Sequence, residues 1–244
     1  MARRRALPYG IDGPWQLAAL AAGAVLAALL AVVARLCAAP LVVALAPAAA
    51  AAGLAGCTVT FLHASLRGKF VVWRRLADAL GLSGDETVLD LGCGSGAVMM
   101  LLGRRLPGGR AVGIDLWRQR DQWRSGPRVL RENAAVEGVR ARTMLCTADM
   151  TALPFADCCF DLVVTSMAVH NVRPVARRRT VLAEAVRVLR PGGRLVMVDI
   201  WARGRAEALA SLGMCAVDRR GAGPVMWWCG PLVRTAVITA VKPR

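Results

Sequence analysis

Between Trp15 and Ala34 the chain runs for twenty residues without a charge, and from Leu36 to Leu62 it does so again, with only Arg35 between. A helix rises 1.5 Å per residue, so the first run reaches about 30 Å, the thickness of a bilayer core. The second run holds Pro40 and Pro47. Begun near Pro40 it is also long enough to cross, with Pro47 kinking it. Two transmembrane helices, at about 15–34 and 40–62, are therefore expected, making an N-terminal membrane hairpin of residues 1–64. Gly23 on one helix, and Gly53 and Gly56 on the other, would let the two pack closely.

Charge placement orients this hairpin. Arg3, Arg4 and Arg5 precede it, while Arg67, Lys69, Arg74 and Arg75 follow it. The positive-inside rule then puts both ends in the cytoplasm and the turn outside, so the rest of the chain is a cytoplasmic domain on a two-span membrane anchor. A cleaved signal peptide explains one arginine-led apolar stretch but not two. Leu54-Ala55-Gly56-Cys57 has the form of a lipoprotein processing site, far beyond the usual signal length. A buried hairpin in a soluble protein would need a cover that nothing else in the chain supplies. The formal charge of +16 is almost all arginine, since Lys69 and Lys242 are the only lysines. Beside a membrane segment an anionic membrane surface is the simplest partner, at roughly 1 kcal/mol per basic residue near anionic lipid, ahead of nucleic acid.

The eight cysteines show neither metal spacing nor a C-x-x-C pair, which points to reduced cytosolic thiols and no metal site. Residues 65–84 read as a linker with an amphipathic helix. Leu66, Phe70, Trp73, Ala77 and Leu80 fall at three- and four-residue steps. This helix either packs on the following sheet or lies interfacially with Trp73 at headgroup depth. His63, at the membrane exit, reads as interfacial.

From residue 85 to 244 apolar strands alternate with helices. Strands are expected at Thr87–Leu91, Arg110–Ile114, Thr143–Thr147, Phe160–Thr165 and Arg194–Ile200, and helices at Ala97–Leu106, Arg128–Glu137 and Val175–Leu189. This order implies an α/β, Rossmann-like, doubly wound and mainly parallel sheet, with ligands at the carboxyl ends of its strands. Asp90, Asp115 and Asp149 fall at those ends. Gly92-x-Gly94-x-x-Ala97 satisfies a dinucleotide fingerprint. Asp90, two residues ahead of the first glycine, sits badly beside a pyrophosphate and suits a ligand carrying an ammonium and a sulfonium.

The segment Val88-Leu89-Asp90-Leu91-Gly92-Cys93-Gly94-Ser95-Gly96 resembles the first motif of class I S-adenosylmethionine-dependent methyltransferases. Val112-Gly113-Ile114-Asp115, Ala148-Asp149-Met150 through Leu153-Pro154-Phe155 to Phe160-Asp161, and Leu189-Arg190-Pro191-Gly192-Gly193-Arg194-Leu195 resemble later motifs in the same order. The resemblance implies an S-adenosylmethionine cofactor. It casts Gly92 and Gly94 as the close backbone approach and Asp90 as ordering the loop or meeting the amino group through water. Asp115 would accept both ribose hydroxyls, with Leu116 beside it in the same cofactor-binding set. Asp149 would accept from the adenine amino group, and the Met150 amide would read the ring nitrogen. The bland readings are a turn former for Asp90 and a helix cap for Asp149.

Met167 to Val172 is similar to the post-strand segment of quinone-biosynthesis C-methyltransferases, though it differs just before the Asn-Val pair. His170 and Asn171 are the candidate catalytic residues. His170 either deprotonates or orients the acceptor, or serves as a structural cap. The loop Leu116 to Pro127, with Trp117 and Trp123, covers the cofactor, meets lipid phosphate or is solvated. Trp73, Trp117 and Trp123 with neighbouring arginines would form a basic aromatic rim against headgroups. The tail from Met226 to Val241 resembles the family's closing antiparallel hairpin. These features point to a methyltransferase acting on a small-molecule or lipid acceptor, lipophilic and reached from the membrane. The alternatives are a nucleic-acid or protein methyltransferase, disfavoured by the lack of an Asp/Asn-Pro-Pro-aromatic tetrapeptide, and a non-catalytic cofactor-binding relative. Oligomeric state is unspecified.

Overall fold

A computed structural model describes residues 9–244, so Arg3, Arg4 and Arg5, on which the orientation partly rests, lie outside the described residues. A two-residue strand β1 (Ile11–Asp12) leads into helices α1 (Pro14–Leu36) and α2 (Leu41–His63), which fold back on each other. Pro14 opens α1, where its missing N–H costs nothing. Gly23 meets the other helix, since a Cβ there would lie 3.2 Å from Leu54. Gly53 and Gly56 have nothing within 4 Å, so the close packing expected of them is absent. Both are exposed.

A π-helical turn (Ala64–Gly68) joins α2 to α3 (Lys69–Ala79), making one helical run from Leu41 to Ala79 with no break at 64/65. This run and α1 are each long and apolar enough to cross a membrane. Leu26, Leu29, Val33, Val42 and Leu45 on their outer faces are each more than half exposed. In α3 the apolar stripe turns inward. Trp73 is 1% exposed and its indole N–H donates to Ser166 Oγ at 2.8 Å. Packing on the sheet therefore wins over headgroup contact for this residue, and Trp73 drops out of the expected aromatic rim. A tryptophan buries much apolar surface when its one donor finds a partner inside.

The α/β part follows as β2 (Thr87–Leu91), α4 (Ala97–Gly103), β3 (Arg110–Asp115), β4 (Gln122–Trp123), α5 (Pro127–Val136), β5 (Thr143–Thr147), β6 (Phe160–Ser166), α6 (Arg177–Val188), β7 (Leu189–Ile200), α7 (Arg205–Ser211), β8 (Cys215–Gly221) and β9 (Thr235–Val241). Seven strands form one sheet in the order β5-β3-β2-β6-β7-β9-β8, parallel except for β9, which runs against both neighbours. In register, Val88 pairs with both Ala111 and Leu162. Val88, Leu89 and Leu91 are all buried because helices cover both faces, which is why the central strands read as continuous apolar runs. One core packs Val88 and Leu162 with α3, α4 and α5; the other packs Leu89 and Val163 with α6 and α7.

The closing hairpin differs from expectation in its first arm. Its arms are β8 and β9, and Trp227 and Trp228 lie in the connection between them. Trp228 is buried there against Phe61 of α2, with ring centroids 4.9 Å apart edge to face. Trp228 therefore serves the contact with the helical hairpin, while Trp227 stacks with Arg234.

Candidate cofactor and acceptor site

The carboxyl ends of β2, β3 and β6 open onto one cleft lined by Gly92, Gly94, Asp115, Leu116, Asp149 and Met150, together with Asn171. Asp115 closes β3, and its two oxygens accept the backbone N–H groups of Gly94 at 2.8 Å and Trp117 at 2.6 Å. Burial raises its pKa above the usual carboxylate range, partly offset by those hydrogen bonds. Gly92 and Gly94 have φ of +72° and +51°. A Cβ on them would lie 2.3 Å from Ala168 Cβ and from Gln122 Oε1 respectively, so only glycine keeps this cradle open.

Asp90 does not line the cleft. It is buried just ahead of the glycine turn, 2% exposed, and neither carboxylate oxygen has a hydrogen-bond partner among the described residues. Burial, and then the nearby charge of Asp115, push its pKa up to about 7. An orphaned acid in this place fits a cationic ligand end, and would repel a pyrophosphate. The residues present therefore fit S-adenosylmethionine better than a dinucleotide.

Asp149 serves the local turn, accepting at Oδ1 from the Thr151 N–H at 2.9 Å and the Thr151 hydroxyl at 2.8 Å. Its other oxygen lies 3.4 Å from Arg177. Burial opposes its charge, but the Thr151 hydrogen bonds and the Arg177 and Arg118 guanidiniums outweigh it and hold the pKa low. Strand β6, not a helix, follows Asp149, so the expected helix cap is a turn-closing bond instead, made by the same side chain that lines the cleft.

Two side chains at this cleft went unforeseen. Residues 9–13 cross the cleft as a strap, with β1 paired antiparallel to β4 of the 116–127 loop, Ile11 against Trp123. Asp12 accepts from Gln122 Nε2 at 2.8 Å, and Gln122 Oε1 accepts the Ser95 N–H at 2.8 Å in the glycine-rich turn. The loop thus covers the cofactor cleft, the first of its three expected readings. A signal for Asp12 was present: it is the sole acid before Asp78, placed at the edge of an apolar helix.

A second cavity of about 830 Å³ lies between the helical hairpin and the catalytic sheet. Trp15, Ala19 and Leu20 of α1 and Leu54 and Phe61 of α2 form one wall; His170, Asn171, Ile200 and Trp201 face them. Asp12, Asp121, Met167, Asn171 and Arg173 line both spaces, so the cavity adjoins the cofactor cleft. His170 and Asn171 sit on a single 3₁₀ turn after β6. His170 Nδ1 is 2.6 Å from Oδ1 of Asp199, a buried acid at the end of β7. Asp199 obeys the same strand-end rule that singled out the other three acids and was legible by it.

Cys229, on the cavity wall, is disulfide-bonded to Cys57 of α2. This overturns the expectation that all the cysteines are thiols. The partners are separated by 172 positions and meet only because the β8–β9 connection packs on α2, a contact that no local spacing could announce. Cys37, Cys93, Cys146, Cys158, Cys159 and Cys215 are free.

Residues 89–197 match a family model described as a methyltransferase domain. Demethylmenaquinone methyltransferase of Thermus thermophilus is 36% identical over 131 residues, covering 52% of this chain and 53% of that protein. Methyltransferase GfsG of Streptomyces halstedii is 33% identical over 147 residues, covering 59% and 49%. The chain thus spans about half the length of the curated relatives it matches. Among solved structures, geranyl diphosphate C-methyltransferase of Streptomyces coelicolor A3(2), in complex with Mg²⁺, geranyl diphosphate and S-adenosyl-L-homocysteine, superposes with a TM-score of 0.58 at 18% identity, covering 71% of this chain and 79% of that one. That likeness is one of fold.

Proposed function

Because residues 89–197 form a class I S-adenosylmethionine-dependent methyltransferase domain, we propose that the chain methylates a lipophilic acceptor drawn from a membrane in which α1 and α2 are lodged. The observation that carries this reading is the cavity of about 830 Å³, walled on one side by the apolar helices and on the other by His170 and Asn171. An acceptor leaving the bilayer along α1 would reach the cofactor cleft without crossing water. The outward leucines and valines of both helices suit a lipid surround. Positive charge after α2, at Arg67, Arg74 and Arg75, favours a cytoplasmic catalytic domain.

Bound S-adenosylmethionine supplies a methyl group on a sulfonium. Asp115 takes the ribose hydroxyls on the lone pairs its backbone donors leave free, with Leu116 alongside. Asp149 and the Met150 amide meet the adenine, Gly92 and Gly94 admit the cofactor, and Asp90 balances its cationic end. Asn171 and Met167, shared by both spaces, lie where the acceptor meets the methyl group. Holding the two reactants in one water-poor site is the main contribution such an enzyme makes.

The relatives named for a quinone and for geranyl diphosphate guide the choice of probes. Full-length enzyme in liposomes carrying reduced demethylmenaquinone or geranyl diphosphate is assayed with methyl-labelled cofactor. Incorporation into at least one is expected. Ala19→Trp, which fills the cavity from the α1 side, is expected to cut it at least tenfold with cofactor affinity unchanged. Equal rates for both enzymes would overturn entry along α1.

A further inference from the structure

Asp199 is 1% exposed and gathers four donors. Its Oδ1 accepts the Ile200 N–H at 2.9 Å and faces His170 Nδ1 at 2.6 Å. Its Oδ2 accepts the His170 N–H at 3.0 Å and Arg205 Nη1 at 2.6 Å. Arg205 opens α7 and is itself buried, with 6% of its side chain exposed. We propose that Asp199 and Arg205 are positioning residues that hold His170 as the general base of methyl transfer, with its proton on Nδ1 and its free lone pair on Nε2.

The argument is one of donor and acceptor inventory. Arginine keeps its charge in a protein, and its partner here is a carboxylate, which only accepts. A nitrogen 2.6 Å from that carboxylate must therefore be the donor, so Nδ1 carries the hydrogen and, in the neutral ring, Nε2 holds the lone pair. The ring lines the acceptor cavity, with Trp201 set edge to face against it at 5.8 Å. The backbone of His170 is fixed at both ends, by Asp199 at its N–H and by Arg178 at its carbonyl. Rotation of the ring away from the cavity would break the Nδ1 hydrogen bond to Asp199.

The reaction then balances. His170 Nε2 takes the proton of the acceptor X–H, X forms its bond to the methyl carbon, and the carbon–sulfur bond breaks with its electron pair moving to sulfur. The imidazolium so formed is stabilised by Asp199 and later releases its proton to water. A buried carboxylate paired to an orienting arginine can do this without itself taking the proton.

This inference rests on the proposed transfer to an acceptor, yet its first test needs no acceptor. The chain has two histidines, so a His63→Gln background leaves His170 alone for ¹⁵N-histidine NMR of the full chain in nanodiscs. At pH 7.5 the Nδ1–H tautomer is expected. Asp199→Asn, whose amide can turn its own N–H toward Nδ1, is expected to shift the ring to Nε2–H. An Nε2–H ring in the unsubstituted site would overturn the proposal.

The second test is turnover on reduced demethylmenaquinone in liposomes. Asp199→Asn is expected to lower kcat 10²- to 10⁴-fold with KM and cofactor affinity within twofold, and to add nothing to His170→Gln. A merely structural role would leave kcat within a fewfold in an Asp199→Asn enzyme of unchanged melting temperature, which would also overturn it. Should the unsubstituted enzyme methylate neither probe, the acceptor reading fails, and the tautomer still decides the positioning.

Discussion

Asp12 Oδ2 lies 2.9 Å from Lys69 Nζ, joining the strap ahead of α1 to the first turn of α3. The same carboxylate receives Ser65 Oγ at 3.0 Å, and its other oxygen receives Gln122. The base of the apolar hairpin and the lid of the cofactor cleft therefore meet in one side chain. Lys69 is 4% exposed, so removing its partner leaves a buried charge unpaired. Asp12→Ala should cost about 3–5 kcal/mol in thermal unfolding. Asp12→Leu with Lys69→Met should recover most of that stability. Neither variant should regain native cofactor affinity by calorimetry, because Gln122 loses its anchor in both.

Asp115 sets the cofactor's ribose by the reading above. Asp115→Ala removes charge-assisted hydrogen bonds and should weaken S-adenosylmethionine binding by about 1.5–3 kcal/mol, roughly ten- to a hundredfold. It also frees the Gly94 and Trp117 N–H groups. Asp115→Asn keeps one acceptor oxygen and should fall between the two. Calorimetry against S-adenosylmethionine and NAD checks both the magnitude and the choice of cofactor, with no heat expected from NAD.

Asp90 gives a pH signature. Its pKa is about 7 in the fold and roughly 3.9 in an unfolded chain, so the folded state holds the proton more tightly. Stability is therefore greatest below the unfolded value, falls as pH rises from about 4 to 7, and levels off above. By linkage the loss approaches roughly 4 kcal/mol for the cofactor-free enzyme. Asp90→Asn lacks this ionisation, so its melting temperature should match the unsubstituted enzyme at about pH 3.5, below the unfolded value, and exceed it at pH 8. A cationic ligand favours ionised Asp90. Cofactor affinity should then rise between pH 6 and 8 more steeply in the unsubstituted enzyme than in Asp90→Asn.

What could be read in advance follows physical range. Thr143–Thr147 falls where its residues put it, because a strand's periodicity is written in adjacent positions. The first apolar helix ends within two residues of its expected span for the same reason, while the second runs on past Leu62 to Ala79. β7 begins at Leu189, earlier than Arg194, because Phe160 pairs with Leu189 ahead of an irregularity in the ladder, and no local pattern encodes that partner. The acids at strand ends were legible as a set because the fold class fixes where ligands bind. Gln122 was not, and Asp12 stood out only as an isolated acid, since their meaning lies in a contact across 110 positions. Trp73 was half legible: its helical stripe was evident, but whether that stripe met lipid or sheet depended on Ser166 being there to accept its N–H.

The Cys57–Cys229 bond makes the final prediction, and it bears on the acceptor cavity directly. Leu54, Phe61, Trp228 and Cys229 all line that space, and the Gly230 N–H reaches Thr60 Oγ1 at 3.3 Å beside the bond. The disulfide thus fastens the β8–β9 connection to α2 along one wall. Thiol counting on the denatured, unreduced chain should find six reactive cysteines, rising to eight after reduction. Peptide mapping should recover Cys57 and Cys229 as one cross-linked pair. In the Cys57→Ala, Cys229→Ala double variant the wall loses its covalent link and keeps the Phe61–Trp228 contact, the Thr60 hydrogen bond and the packing of Val225 and Met226 on Gly68, so it should loosen. The expected result is a several-fold higher KM for liposome-embedded acceptor, with cofactor affinity unchanged because neither cysteine lines the cofactor cleft. Eight reactive thiols before reduction would show that this wall is held by packing alone.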